Sequence, residues 1–206
     1  MTPRLAFTRD VSDRIVECEL THLARTPIDV ATARAQHAHY EALLRTLGCD
    51  VRRVPAAPDH ADAVFIEDTA VVFDEVALIT RPGAESRRGE VPAVAEALGA
   101  LRPLLHIVDP GTVDGGDVMT VGRDVWVGRT GRTNEDGISQ MRTLLAPFGY
   151  VVHAVEVTGC LHLKSGITAV DDTTVLVNPA WVSPRPFSRY RVIDVDPHVA
   201  EPGALA

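Results

Sequence analysis

The stretch GCLHLKSG, residues 159–166, sets an imidazole and an ammonium two residues apart, His162 and Lys164, with the thiol of Cys160 just before them. Histidine is the side chain best suited to giving and taking a proton near neutral pH, and a nearby carboxylate favours its imidazolium form. Read as the sequel to a strand over 151–157, alternation puts His162 and Lys164 on one face and Leu161 and Leu163 on the other. Carboxylates recur upstream: Asp62, Glu67 and Asp68 in DAVFIEDTAVV, then Asp114 and Asp117 in GTVDGGDVMTVG. Two loops add arginines, with Arg81, Arg87 and Arg88 in RPGAESRRGE and Arg129 and Arg132 in GRTGRTNEDG. A guanidinium fork grips a carboxylate with two parallel hydrogen bonds. Acidic residues at one end and Arg87 and Arg132 at the other therefore complement a zwitterionic amino acid with a cationic side chain.

Repetition is what would bring these residues together. The spacing predicts helices over 29–47, with Asp29 as N-cap and Val30, Ala33, Leu43, Leu44 and Leu47 facing inward, over 91–101, and over 134–147. Between them lie short β-rich runs, paired across tight turns at 74–75, 122–124 and 171–174. The hairpins over 65–83, 113–131 and 162–181 look alike, and their exit residues Arg81, Arg129 and Asn178 recur after 48 and 49 residues. Arg9, after the run LAFT, resembles a further exit. A period near 48 residues is a repeat architecture, expected to close into a ring with its polar entry residues around one axis. Gathered carboxylates are costly unless a cation or a hydrogen-bond network compensates them.

The gross composition narrows the class. The 206 residues are 46% apolar, enough for a packed core, and carry a formal net charge of −8, which disfavours nucleic acid as a partner. No apolar run reaches membrane-spanning length and the first residues lack a signal-peptide core, so no membrane role and a cytoplasmic location are expected. Cys18, Cys49 and Cys160 have no regular spacing, and His37, His39, His60, His106, His153 and His198 show no metal-ligand pattern.

Five runs, DAVFIEDTAVV, ALITRPGAESRRGE, GTVDGGDVMTVG, GRTNEDG and LHLKSG, resemble the dimethylarginine dimethylaminohydrolases in consistent order along the chain. These belong to the guanidine-modifying, or pentein, superfamily of five-fold α/β propellers, with the arginine deiminases and amidinotransferases. The resemblance implies an α/β propeller of ββαβ units, a single domain over 1–206 with about four of five units present. It implies hydrolysis of N-methylated arginine to citrulline and a methylamine, with no metal or organic cofactor. A cysteine thiolate would attack the guanidinium carbon, and His162 would protonate the leaving amine and then deprotonate the resolving water. Asp114 matches the acidic partner of that histidine, where other members carry Glu or Asp, and Asp68 the carboxylate facing the guanidinium. Asp62 and Glu67 line the pocket, Arg87 and Arg132 grip the substrate carboxylate, and Leu20 matches a lid residue. The family's nucleophile, near the C-terminus behind a Gly-Gly or Gly-Ala step, has no counterpart over 191–206, and the tail EPGALA makes a poor domain ending. Cys160 is not expected to replace it, because strand neighbours project in parallel rather than towards a shared substrate. The alternatives are a non-catalytic arginine-binding propeller that keeps the cation pocket, and a relative of the deiminases or amidinotransferases. Uncovered strand edges would favour a homo-oligomer.

Overall fold

The computed structural model describes residues 4–22 and 24–196. His198 and the tail 201–206 lie outside the described residues. Four small sheets follow one another along the chain. The first pairs β1 (Leu5–Thr8) in parallel with β2 (Asp50–Arg53), joined by α1 (Val30–Thr46). The next three each consist of an antiparallel hairpin with a third strand parallel to its second. They are β3 (Ala70–Val72), β4 (Ala77–Ile79) and β5 (Leu104–His106); β6 (Val118–Val121), β7 (Asp124–Arg129) and β8 (Val151–Glu156); and β9 (Ile167–Asp171), β10 (Thr174–Val177) and β11 (Arg191–Asp194). Helix α2 (Val91–Gly99) links β4 to β5 and α3 (Glu135–Leu145) links β7 to β8. The units read from the repeat are therefore real. Among the described residues, the first lacks a counterpart of β3, β6 and β9, so β1 keeps one unpaired edge.

Local chemistry places the helices where the sequence does. Asp29 caps α1 by accepting the Thr32 N–H at 2.6 Å, and Asn134 caps α3 by accepting the Gly137 N–H at 2.8 Å. Pro92 sits in the first turn of α2, where its missing N–H costs nothing. The inward face of α1 differs from expectation. Leu43 and Leu47 are exposed, and the one buried residue on the helix is Glu41. A two-stranded sheet covers only a narrow stripe, which runs Val30, Ala33, His37, Glu41 and Leu44. Glu41 is tolerated there because Arg53 grips both its oxygens at 2.8 Å and the Thr8 hydroxyl donates at 2.7 Å. These bonds, Arg53's first, hold its pKa down to about 2 against the cost of burial.

The apolar core runs between successive units. Val71, Phe73 and Leu78 meet Val125, Val127 and the inner face of α3 (Ile138, Met141, Leu145), while Met119 and Trp126 meet Ile167, Val175 and Phe187. Polar ties cross the same boundaries. Asp68 accepts the Gly116 N–H at 2.8 Å, and one unit later Asp117 accepts the Leu163 N–H at 3.0 Å. Each entry carboxylate thus fastens the backbone of the next unit's entry, which pulls the polar ends towards one another. The first exit joins from the other side: Arg9 is fully buried and donates to the Glu90 carbonyl at 3.0 Å.

Candidate active site

Each hairpin of the three complete units is entered through a single tight helical turn. Residues Ile66–Thr69 lead into β3, Gly115–Asp117 into β6, and the one-turn α4 (Leu163–Gly166) into β9. The strand reading of 161–164 is corrected here. His162 is extended, with φ −132 and ψ 156, but stands as the residue before α4, and the strand begins only at Ile167. The Asp117 carboxylate captures the Leu163 N–H and stabilises the turn at its start. A turn separates side chains that a strand would align. Lys164 reaches outward to Glu67, with Nζ 2.5 Å from Oε1, whereas His162 turns into the polar centre.

Three carboxylates face that imidazole. Its Nδ1 lies 3.4 Å from Asp117 Oδ1 and its Nε2 lies 3.8 Å from Asp68 Oδ1. Asp68, Asp114 and His162 each bring one donor atom within 4.8 Å of the others, the geometry of a cation site among the described residues. Burial acts to lower the His162 pKa, but Asp117, Asp68 and Asp114 outweigh it and the net shift is upward. Asp68 is pushed up by burial and pulled down further by His162, by Arg87 at 2.5 Å and by the Gly116 N–H, so it stays ionised. Asp114 has no such fork. Burial first, then Asp68, raise its pKa to about 6, and its Oδ2 is buried without a hydrogen-bond partner.

Glycine at 115 and 116 is what lets these groups converge. A Cβ on Gly115 would lie 2.1 Å from the Glu67 carbonyl oxygen, and one on Gly116 would lie 2.8 Å from the His162 ring and 2.9 Å from Asp68 Oδ1. Gly115→Ala is expected to lower the stability by about 3 kcal/mol or more, because backbone cannot yield as a side-chain tip does. Gly131→Ala, whose Cβ meets nothing within 4 Å, should change it by less than about 0.5 kcal/mol. Denaturant midpoints of the two variants check the contrast.

The remaining expected residues divide. Asp62 is buried beside Arg87 and accepts the Glu19 N–H at 3.2 Å on both oxygens, and burial raises its pKa. Leu20 follows on the same loop and is exposed; the loop is held by Ser86 on Glu19 and by Arg25 on the Val16 and Cys18 carbonyls. Arg132 is largely buried, with Nη1 4.0 Å from Asp114 Oδ2. Glu67 is a surface partner of Lys164 rather than a pocket wall. Arg87 is not presented as an open grip either. It is buried, its Nε and Nη2 engage Glu90, its Nη2 also serves the Asp62 and Phe65 carbonyls, and one Nη1 hydrogen holds Asp68, leaving only the second. Asp114 lies close to His162 and favours its imidazolium form, but the carboxylate nearest His162 Nδ1 belongs to Asp117. Cys160 points back along its own loop, its Sγ 3.3 Å from the His162 carbonyl, and burial followed by Asp117 pushes its pKa up to about 11. Such a thiol is a poor nucleophile.

No family model matches the sequence. Among curated proteins, the N(G),N(G)-dimethylarginine dimethylaminohydrolase of Streptomyces coelicolor is 44% identical over 192 residues, 92% of this chain and 74% of that protein. The chain belongs to the dimethylarginine dimethylaminohydrolase family. The Pseudomonas aeruginosa dimethylarginine dimethylaminohydrolase is 35% identical over 85% of the chain and 69% of its own length. A solved structure of that Pseudomonas enzyme, a cysteine-to-serine variant complexed with citrulline, superposes with a TM-score of 0.90 at 32% identity, covering 96% of this chain and 78% of that one. The N-terminal domain of the arginine dihydrolase ArgZ, at 17% identity and TM-score 0.82, shows the same propeller fold. The family is legible in the five motifs. The direct contact of Asp117 with His162 is not, because it depends on the turn at 163–166, which the Leu-His-Leu-Lys alternation disguises as strand.

Proposed function

We propose that this chain carries the guanidinium-recognising and acid/base machinery of an amidinohydrolase that converts N-methylated arginine to citrulline and a methylamine. The observation that carries the reading is the pairing of an ionised Asp68 with the His162 Nε2, 3.8 Å apart, in a buried centre that also holds Asp62 and Asp114. A planar cation placed there hydrogen-bonds to Asp68 and meets the unpartnered Oδ2 of Asp114. Arg132 then faces the substrate carboxylate, and Asp62 faces the α-ammonium. Thiolate attack on the guanidinium carbon gives a tetrahedral adduct. His162 as imidazolium donates its proton to the departing amine, and the neutral ring then takes a proton from the water that releases citrulline. Leu20, beside the tethered Glu19, serves as the lid residue.

The attacking thiol is none of the three cysteines. Cys160 is turned towards a carbonyl, burial raises the pKa of Cys18, and Cys49 lies in the turn between α1 and β2. The test is citrulline release from dimethylarginine by the wild type and by His162→Gln and Cys160→Ser variants. Any citrulline formed should be lost with His162 and unchanged without the Cys160 thiol, and loss in Cys160→Ser would assign the nucleophile to that residue. Binding of dimethylarginine without citrulline from any variant is the outcome expected where none of the three cysteines attacks, and failure to bind dimethylarginine would count against the reading. Ammonia from unmethylated arginine would favour a deiminase.

The unpaired edge of β1 and the exposed Leu43 and Leu47 also support self-association as the reading for quaternary state. Light scattering should give a mass above one chain, and a clean monomer would count against it. Among the described residues no helix is long and apolar enough to cross a membrane.

A further inference from the structure

We infer that Asp117 is the positioning residue of His162, fixing its ring and its tautomer so that Nε2 is the atom that exchanges protons with substrate. The inference deepens the reading of the site as a histidine acid/base centre and rests on it. Asp117 is fully buried and all its bonds run inward. Oδ2 accepts the hydroxyls of Thr130 and Thr133, each at 2.7 Å, and Oδ1 accepts the Leu163 N–H at 3.0 Å.

The two threonines cannot turn their hydroxyls round. Thr130 Oγ1 already accepts the N–H groups of Arg132 and Thr133, at 3.0 and 3.2 Å, and Thr133 Oγ1 accepts the Asp114 N–H at 3.1 Å. Each hydroxyl is therefore left with its proton to give, and Asp117 Oδ2 has to receive both. With Leu163 N–H on Oδ1, both oxygens act as acceptors only. The histidine Nδ1 is buried and makes no hydrogen bond, and its nearest acceptor is Asp117 Oδ1 at the ion-pair distance of 3.4 Å. It must carry a hydrogen to face an acceptor, and the neutral ring is then the Nδ1–H tautomer with its lone pair on Nε2. That lone pair looks across 3.8 Å at Asp68 Oδ1, where a substrate guanidinium would lie. Asp117 also holds the backbone immediately after His162, so it sets the place of the ring as well as its electronic state. Asp114, with Oδ1 on the Gly83 N–H and a buried Oδ2 that makes no hydrogen bond, is left to meet the ligand.

The experiment follows the His162 imidazole by ¹⁵N and ¹H NMR in the full chain, its signals identified by their absence from His162→Gln. This reads the ring whether or not the protein hydrolyses methylarginine, so failure of the inference and failure of the catalytic reading separate. The groups facing the ring are Asp117, Asp68 and Asp114, with Arg87 behind Asp68, Arg132 near Asp114, and the Cys160 thiol alongside Asp117. Asp117→Asn removes the charge nearest Nδ1 and should lower the His162 titration midpoint by about 1–2 units. Asp114→Asn should lower it by less than half as much. In the wild type above that midpoint, the ring should show the Nδ1–H tautomer, a measurement that holds even if Asp117→Asn does not fold. An Nε2–H tautomer, or an Asp114→Asn shift larger than that of Asp117→Asn, overturns the inference.

Discussion

Asp68→Asn should weaken the binding of dimethylarginine by about a hundredfold while weakening that of citrulline by less than about tenfold. The two ligands share a backbone and differ at the end that meets Asp68, where one is a cation and the other a neutral urea. In the wild type, Asp68 is buried, ionised, and committed through Oδ2 to Arg87 and through Oδ1 to the Gly116 N–H. Asparagine keeps the shape and one acceptor oxygen, so the fold can retain one of those two bonds, and Arg87 still has Glu90. What it loses is the charge that compensates a second buried cation. Asp114 offers its carboxylate in the wild type and the variant alike, so the difference between them reports the charge that Asp68 itself supplies. Calorimetric titration with both ligands makes the comparison internal to each variant. An equal loss for the two would mean that Asp68 only maintains the structure.

Asp114→Asn should make the protein more stable at pH 7 and a worse binder of dimethylarginine. Asp114 is ordinarily an acid of pKa near 3.8, and in the folded chain that value is raised to about 6, chiefly by burial. A raised folded pKa means that folding retains the proton more tightly than the unfolded chain does. The associated stability is fully present below pH 3.8 and is lost as the pH rises to about 6. At pH 7 the wild type therefore carries a buried carboxylate whose Oδ2 has no hydrogen-bond partner and only Arg132, at 4.0 Å, as a counter-charge. Asparagine removes that charge and still accepts the Gly83 N–H. The gain should be about 1–3 kcal/mol at pH 7 and should vanish below about pH 4. Thermal melts across that range check it, and a gain that persists undiminished at pH 3.5 would show that charge is not its source. Such a cost left in a native protein is expected at a site where a ligand completes the hydrogen bonding.

Much of this was legible before the structure. The hairpins, the exits near every 48 residues and the cap Asp29 follow from turn chemistry and short-range patterning, which local interactions decide. A repeat sends equivalent residues to equivalent positions, and Asp68, Asp114 and His162 do meet, but Glu67 and Lys164, expected beside them, pair at the surface. What patterning could not reach was set by neighbours distant in sequence. The turn at 163–166 depends on Asp117, 46 residues upstream. Glu41 replaces leucines on the inner stripe of α1 because Arg53 and Thr8 happen to face it. Arg87 reads as a grip on the substrate carboxylate until Asp68 and Glu90 are seen to enclose it.

The most direct test of the account is a crystal structure of the chain with dimethylarginine. The guanidinium should lie against Asp68 with its carbon facing His162 Nε2, and the α-carboxylate should point to Arg132. The outer groove of about 380 Å³ between Asp10, Arg34, His37, Arg53 and Pro58 should hold no ligand. A ligand reversed end for end at the centre, or one found in that groove with the centre unoccupied, would contradict the account.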